Sequence, residues 1–293
     1  MSDIEYYRPH DLDEAVTFLA RNGATTRILA GGTDLMIDRR AGTLNTDCLC
    51  DVSRLVELKR IEIIDDRLEI GAGVTMNEIV HSETIARFAP ALKIAASQFA
   101  GNQIRNVATL GGNVAHCSPC GDTVPPLLIH DATAMVRSRS DERAVSLADM
   151  SGGPYHCTLG PSELITRFVL KPMTAEMTLA DFQKIGRRRA LAISRLSMAV
   201  MARQEKDRSI AFIRFALGAC TPTPHHFEAV ESTLLGKIPT ETLLWDVGGK
   251  LARQMRVITG RRPSAVYKEP AIAGLFVRIL YPLVASSGKP VAP

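Results

Sequence analysis

Residues 102–123 read NQIRNVATLGGNVAHCSPCGDT, and this segment holds the densest set of ligand-binding features in the chain. It contains three glycines, two cysteines and many small hydrogen-bonding side chains, and it lacks the long apolar run of a core strand or core helix. Glycines let a backbone approach a ligand closely, and neighbouring N–H groups can then point at that ligand. We therefore interpret the segment as a cofactor-binding loop, because an ordinary surface loop of this length is uncommon within a compact domain.

A second glycine element precedes it, where residues 28–35 read ILAGGTDL. A buried strand predicted at 26–30 runs into Gly31 and Gly32, and a helix is predicted to start at Leu35. Free N–H groups and the helix dipole at such a junction favour an anion such as a phosphate. The adjacent glycines match neither G-x-G-x-x-G nor the P-loop pattern. A tight turn with Thr33 or Asp34 as the helix N-cap is the alternative.

Composition limits the class of protein. The chain has 293 residues, of which 46% are hydrophobic and 23% charged, which predicts two domains, or three small ones, in an ordinary globular protein. The net charge of +4 is slight and the basic residues are scattered, which argues against nucleic-acid binding. No signal peptide or membrane span is visible, so we expect a cytoplasmic location in which the six cysteines are not disulfides.

Local patterns predict the elements that flank the two glycine segments. Ahead of the loop they predict helices at Leu12–Asn22, Met76–His81 and 85–99, a strand at 48–52 and a hairpin over 61–72. Beyond it they predict strands at 133–138, Leu164–Leu170, 180–185 and 210–219, and helices at 191–204, 227–235, 240–258 and 271–280. The inward side chains of the helix at 191–204 are expected to be Ile193, Leu196, Ala199 and Val200.

Taken together, the two glycine elements resemble the FAD-binding medium subunit of the molybdenum hydroxylases, the family of xanthine dehydrogenase and carbon monoxide dehydrogenase. The resemblance continues through Ser118, Pro119 and Asp122, and extends to FQKIGRR at 182–188, LGA at 217–219 and PTP at 222–224. It covers nearly the whole chain. The two glycine motifs together are specific for this family, whereas either motif alone is weak evidence for it.

The resemblance implies an α+β fold. A PCMH-type FAD-binding domain is expected over residues 1–173, in two parts at about 1–55 and 56–173. A small α+β domain with a three-stranded antiparallel sheet and helices is expected over residues 177–285.

The resemblance also implies a cofactor site. Backbone N–H groups of residues 30–35 and 109–113 would cradle the FAD diphosphate, and Asp122 would make a polar contact with the cofactor. Leu164 or Ile165 would pack on the isoalloxazine ring, and Lys184 would approach the polar edge of that ring. The full set of implied cofactor-binding residues is Leu29, Ala30, Gly31, Gly32, Thr33, Asp34, Leu35, Thr109, Gly111, Gly112, Asn113, Ala115, His116, Ser118, Asp122, Leu164, Ile165 and Lys184.

The implied function is electron transfer, without catalytic side chains, because the chemistry belongs to the cofactor. This subunit would take electrons from [2Fe–2S] clusters on a small subunit and pass them to NAD or another acceptor. A large molybdenum-pterin subunit would bind the substrate, and the complete enzyme would be a dimer of heterotrimers.

Two features depart from the family pattern. Cys117 and Cys120 form a C-x-x-C, which would hold zinc or an iron–sulfur cluster only with two further ligands, for which Cys48, Cys50 and His116 are candidates. Free thiols are the preferred interpretation, and Cys157 and Cys220 are expected to be isolated and buried. In the second departure, residues 189–191 lack the acidic residue of many relatives, which leaves the electron acceptor open.

Three alternatives to this function remain open. One is a stand-alone FAD-dependent oxidase that binds its own substrate. Another is a flavin subunit with an additional iron–sulfur cluster at the C-x-x-C. The third is a metal- or redox-binding interaction protein that is built around the cysteines and has no flavin.

Overall fold

The computed structural model describes residues 4–188 and 190–284. Arg189 lies outside the described residues; it belongs to the segment 189–191 that departs from the family pattern. Residue 285, the expected end of the second domain, also lies outside them. Within them the fold is a mixture of helices with four separate sheets. No helix of this part of the chain is long and apolar enough to cross a membrane.

The first part of the chain is a small parallel sheet with two helices. Its elements are β1 (Glu5–Tyr7), α1 (Leu12–Asn22), β2 (Thr26–Leu29), α2 (Leu35–Ala41) and β3 (Cys48–Asp51). The strand order is β1-β3-β2, and both pairings are parallel. Helix α1 starts at Asp11, whose side chain accepts from the Glu14 N–H, and it buries its apolar side against the sheet.

The next part is built on a five-stranded antiparallel sheet. Its strands are β4 (Ile61–Ile64), β5 (Arg67–Gly71), β6 (Thr133–Arg137), β7 (Glu142–Ser146) and β10 (Leu164–Leu170), in the order β4-β5-β10-β6-β7. A two-stranded hairpin, β8 (Ser151–Gly153) and β9 (His156–Cys157), lies between β7 and β10 in sequence. The helices of this part are α3 (Met76–His81), α4 (Glu83–Phe88), α5 (Pro90–Ser97), α6 (Asn102–Arg105), α7 (Leu110–Ala115), α8 (Val124–Ile129) and α9 (Leu147–Met150).

Two predictions in this region have different outcomes. The hairpin is confirmed, and its turn residues Asp65 and Asp66 have φ angles of 47° and 57°, which is typical of the two-residue turn between twisted strands. The single helix at 85–99 is wrong, because Ala89 leaves the helical conformation and Pro90 starts a new helix, α5. Proline disfavours a helical conformation in the residue before it and suits the first position of a helix.

The last part of the chain is a three-stranded antiparallel sheet with helices. Its elements are β11 (Leu179–Ile185), β12 (Leu196–Gln204), β13 (Ile210–Gly218), α10 (Glu228–Glu231), α11 (Glu241–Thr259) and α12 (Ala265–Leu280). One face of this sheet packs in a core with α11 and α12. The opposite face adds Phe182, Ala199, Met201 and Ala216 to the core of the five-stranded sheet. The expected α+β class, with its small three-stranded sheet, is confirmed.

The predicted helix at 191–204 is wrong, because residues 196–204 form β12, the central strand of this sheet. Ile193 was expected to face inward, but its side chain is 80% exposed. Strand β12 is buried on both faces, so its sequence LSMAVMARQ shows no alternation of apolar and polar residues. Its leucine, methionines and alanines favour helices when isolated, and pairing with both neighbours overrides that preference.

Two other helix predictions differ in length. The helix expected at 227–235 is only the short α10, and the helix expected at 271–280 begins earlier, at Ala265. Pro270 lies inside α12, and the sequence prediction therefore began the helix after it.

Candidate cofactor site

The turn between β2 and α2 presents a row of unused backbone donors. The N–H groups of five consecutive residues, Gly31 to Leu35, have no acceptor among residues 4–188 and 190–284. Gly32 has a φ of +67°, the left-handed conformation that turns successive N–H groups toward one side. Asp34 occupies the N-cap position, but its side chain makes no capping hydrogen bond. The turn is therefore suited to an anion, and side-chain capping does not satisfy its donors.

The second glycine segment is more helical than we expected. The interpretation of residues 102–123 as one loop is wrong, because α6 and α7 lie within it, and Leu110 and Val114 are buried in the core. Thr109 starts α7 by accepting a hydrogen bond from the Gly112 N–H through its hydroxyl, at 3.1 Å. Sequence reasoning missed one signal within this glycine-rich segment. Leu110 and Val114 are apolar and four positions apart, a spacing that is typical of one side of a helix.

Most backbone donors of residues 109–113, which were expected to cradle the diphosphate, already have acceptors. Leu110 N donates to Val74 O at 2.9 Å, and Gly111 N donates to Ala72 O at 2.8 Å. The N–H groups of Gly112 and Asn113 both donate to Thr109, so that among residues 109–113 only the Thr109 N–H has no acceptor within the described part of the chain. In this conformation the segment can therefore reach a ligand mainly through side chains and Cα atoms, in contrast to the turn at Gly31.

The structure brings the two glycine segments together. A Cβ atom added to Gly31 would lie 2.1 Å from the carbonyl oxygen of Val107, so only glycine permits this approach. At the other end, His116 Nδ1 lies 3.8 Å from Asp34 Oδ1. These contacts make one surface from residues that are some seventy positions apart, and a group with a diphosphate fits the free donors on it.

Exposed apolar and aromatic side chains lie around this surface, and sequence reasoning did not identify them as site residues. Ile104 and Val107 are exposed on and after α6, and Leu191 approaches Gly101 at the start of that helix. The Tyr155 ring lies 5.2 Å from the His116 ring, centroid to centroid, at a tilt of 58°. Apolar groups of this kind can cover a planar ring, but no sequence pattern placed Tyr155 beside His116.

Asp122 and Lys184 are in direct contact with each other. Lys184 Nζ lies 2.7 Å from Asp122 Oδ2 and also donates to the carbonyl oxygens of Gln98 and Ala192. The Ser194 hydroxyl donates to Asp122 Oδ1 at 2.5 Å. All three ammonium hydrogens of Lys184 therefore have protein acceptors, and this pair links β11 to the segment that follows α7.

The other predicted residues lie in different settings. Leu164 and Ile165 are 5% and 4% exposed and belong to two separate cores, so little of either side chain is available to a ring. Ala115 and His116, at the end of α7, are half-buried, as is Ser118. Leu29 and Ala30 lie at the end of β2 and lead into the turn at residues 31–35 that carries the unused N–H groups, which we call the donor turn.

The cysteines do not form a metal-ligand cluster among the described residues, where no group of three or more His, Cys, Asp or Glu side chains is placed to hold an ion. Cys48 and Cys50 lie in β3, away from the C-x-x-C. Cys220 is buried, as expected. Cys157 was also expected to be buried, but it is half-buried. It is not isolated either, because its sulfur contacts Met150, as does that of Cys117.

Family models match both parts of the chain. The family described as the FAD binding domain in molybdopterin dehydrogenase matches residues 2–172, and the CO dehydrogenase flavoprotein C-terminal domain matches residues 181–283. The nicotinate dehydrogenase FAD-subunit of Eubacterium barkeri is 31% identical, with 95% of each chain covered. The xanthine dehydrogenase FAD-binding subunit of Escherichia coli O157:H7 is 28% identical, with 97% of each chain covered.

Among solved structures, carbon monoxide dehydrogenase from Hydrogenophaga pseudoflava is similar, with a TM-score of 0.88 and 25% identity. The alignment covers 96% of this chain and 98% of that chain. The similar proteins are subunits of dehydrogenases, and the match extends over both parts of the fold. The chain therefore belongs to the family of FAD-binding subunits of the molybdenum hydroxylases, the family of xanthine dehydrogenase and carbon monoxide dehydrogenase.

Proposed function

We propose that this subunit carries electrons from the [2Fe–2S] clusters of a partner subunit, through its FAD, to NAD or another soluble acceptor. The observation that supports this most directly is the row of five unused N–H groups from Gly31 to Leu35. FAD carries a diphosphate, and fixed backbone donors favour such an anion without the loss of side-chain entropy that long cationic side chains would incur.

In this proposal the N–H groups of the donor turn hold the diphosphate, and α7 supplies side-chain contacts. Asn113 accepts a hydrogen bond from the Thr123 hydroxyl at 2.6 Å, which orients its amide and leaves the two amide hydrogens as donors. His116 and Ser118 continue the polar surface beyond the end of that helix. Thr33 adds a hydroxyl beside the donor turn.

The ring system is proposed to lie against apolar side chains. The exposed residues Ile104, Val107 and Leu191 would exclude water from a planar face, and the buried Leu164 and Ile165 would support that region from the core. Lys184 and Asp122 are proposed to position the second domain over the ring, because their charged groups already face each other. FAD supplies the redox chemistry when it is bound, and the residues of this chain bind, orient and shield it.

We also propose the assembly that the resemblance implies, with a small iron–sulfur subunit and a large molybdenum-pterin subunit as a dimer of heterotrimers. The names of the relatives support a multi-subunit enzyme, since several are called subunits or medium chains. The division into an FAD-binding domain over 1–173 and a second domain over 177–285 is proposed with it. An NAD acceptor would place this enzyme in the cytoplasm.

Anaerobic mixing of the FAD-loaded chain with NADH tests the acceptor. If NAD is the physiological acceptor, NADH will reduce the flavin in reverse and bleach its visible absorption. A quinone acceptor predicts no bleaching by NADH but rapid reoxidation of the dithionite-reduced chain by a soluble quinone. A chain that contains FAD but fails to exchange electrons with any soluble acceptor would contradict the proposal.

A further inference from the structure

The thiols of Cys117 and Cys157 form a pair that the electron-transfer function does not use. Cys117 Sγ lies 3.4 Å from Val114 O and 3.6 Å from Met150 O, and Cys157 Sγ lies 3.7 Å from Met150 Sδ. Both sulfur atoms therefore contact the same residue, Met150, and each thiol shifts the pKa of the other. Cys120, the other cysteine of the C-x-x-C, is not part of this pair.

The backbone around the pair brings two short segments into contact. Cys117 follows α7 and has a φ of 49°, a strained conformation for a residue other than glycine. Its carbonyl oxygen accepts a hydrogen bond from Tyr155 N at 2.9 Å, which ties the turn of the β8–β9 hairpin to this position. Cys157 lies in that hairpin opposite Ser151. The hairpin and the end of α7 are thus held together by a hydrogen bond that does not involve the sulfur atoms.

A cleft reaches one member of this pair, Cys117. Cys117, Met150 and Ser151 are among the residues that line it, and it opens between the end of α7 and Pro222 to Pro224 of the second domain. Cys117 itself is 8% exposed, whereas Cys157 is half-buried. A small oxidant can therefore approach Cys157 first.

We propose that Cys117 and Cys157 are a site of reversible disulfide formation. The oxidant is a low-molecular-weight disulfide, RSSR. The Cys157 thiolate attacks one sulfur of RSSR, the S–S bond breaks, and RS⁻ leaves, so that Cys157 carries a mixed disulfide. Cys117 then loses its proton to the released thiolate, attacks the Cys157 sulfur and expels a second RS⁻, which takes up the Cys157 proton from solvent. Two protein thiols and one RSSR become one protein disulfide and two RSH.

The electrostatics of the pair favour this order of attack. The neighbouring Cys117 thiol lowers the pKa of Cys157, although burial opposes the shift. The neighbouring Cys157 thiol and burial both raise the pKa of Cys117. The thiolate is the attacking species in disulfide exchange, so Cys157 is the nucleophile and Cys117 resolves the mixed disulfide.

The product would lock one edge of the cofactor surface. A bond between Cys117 and Cys157 joins the β8–β9 hairpin covalently to the end of α7, beside the contact between His116 and Tyr155. The proposal does not depend on FAD, because the chemistry involves only the two sulfur atoms and the oxidant.

The test treats the purified full chain with oxidised glutathione, followed by thiol counting and mass spectrometry of the linked peptides. We expect the loss of two thiols per chain, a link between Cys117 and Cys157, and full reversal by dithiothreitol. Cys120→Ser is the matched variant: it removes the other C-x-x-C thiol and should leave the link and its rate of formation unchanged within about twofold.

Several outcomes would overturn the proposal. These are a link between Cys117 and Cys120, stable glutathione on Cys157 with no internal link, and no loss of thiols. A second measurement uses the natural chain and so does not depend on the folding of a variant. In a short pulse of iodoacetamide at neutral pH, Cys157 should be alkylated at least fivefold faster than Cys48 or Cys220. Equal rates at all three would also overturn it.

Discussion

Lys184 Nζ and Asp122 Oδ2 lie 2.7 Å apart in an ion pair whose side chains are only 10% and 7% exposed. The pair joins the first strand of the three-stranded sheet to the segment that follows α7, and Ser194, Gln98 and Ala192 supply its remaining hydrogen bonds. Buried charges with this many partners are expensive to disrupt singly, because the remaining charge loses its compensation.

Replacement of Lys184 by methionine should therefore destabilise the chain. We expect a loss of about 3 kcal/mol in the free energy of unfolding, because the buried Asp122 carboxyl would lose its cationic partner. Urea denaturation followed by circular dichroism measures this. Lys171→Met is the matched control, since Lys171 makes a 2.7 Å pair with Asp131 but is 55% exposed, and its loss should cost less than about 1 kcal/mol. Equal losses for the two variants would contradict the role of the buried pair.

Alanine at Gly32 should weaken FAD binding more than its effect on stability explains. Gly32 and Gly42 both have left-handed φ angles, +67° and +71°, so an alanine at either position should cost about 1–2 kcal/mol of folding stability. Only Gly32 lies in the donor turn, so only Gly32→Ala should lower FAD affinity, by about tenfold or more. Calorimetric titration of both variants with FAD tests this, and equal affinities would refute the assignment of the diphosphate to this turn.

The pH dependence of stability should carry a contribution from Glu231. Burial raises the pKa of this carboxyl from 4.5 to about 7, against the hydrogen bond donated by Phe215 N and the nearby charge of Arg214. A raised carboxyl pKa means that the folded state holds the proton more tightly. The stabilisation is therefore fully present below pH 4.5 and is lost as the pH rises through about 7.

Glu231→Gln removes this titration and keeps an oxygen that can accept from Phe215 N. The stability of the natural chain relative to this variant should fall by about 2–3 kcal/mol between pH 5 and pH 8. Denaturant unfolding at a series of pH values provides the comparison. A constant difference across that range would show that Glu231 is already charged in the folded chain.

Local rules were sufficient for some elements of this fold. Helix α1 was predicted from its capping residue and from the apolar residues along one side. The hairpin at 61–72 was predicted from the alternation of apolar and polar residues on both sides of two aspartates. The strand, glycine turn and helix at 26–41 were predicted because each of the three has its own local signal. The donor turn at Gly31 belongs to this class, since it depends on a junction within one short segment.

Tertiary contacts determined what the sequence could not predict. Strand β12 lacks alternation because both of its faces are covered, and its residues favour a helix locally. The pairing of Lys184 with Asp122 depends on how the second sheet packs against the end of α7, and the same is true of Cys117 and Cys157. The acceptors that bind the N–H groups of Gly111 and Gly112 are likewise set by the fold. The sequence therefore predicted free donors at residues 30–35 and at 109–113, whereas the structure keeps a row of them only at 31–35.

The most direct test of the account compares FAD with riboflavin, which has the ring but lacks the diphosphate and adenosine. Each ligand is titrated into the cofactor-free chain, alone or with its partner subunits, and into Gly31→Ala, whose added Cβ would meet Val107 O at 2.1 Å. Gly42→Ala, with nothing within 4 Å of its added Cβ, is the control. We predict that the natural chain and Gly42→Ala bind FAD at least a hundredfold more tightly than riboflavin, and that Gly31→Ala loses this preference. Equal binding of the two ligands, or an unchanged preference in Gly31→Ala, would contradict the proposed diphosphate site.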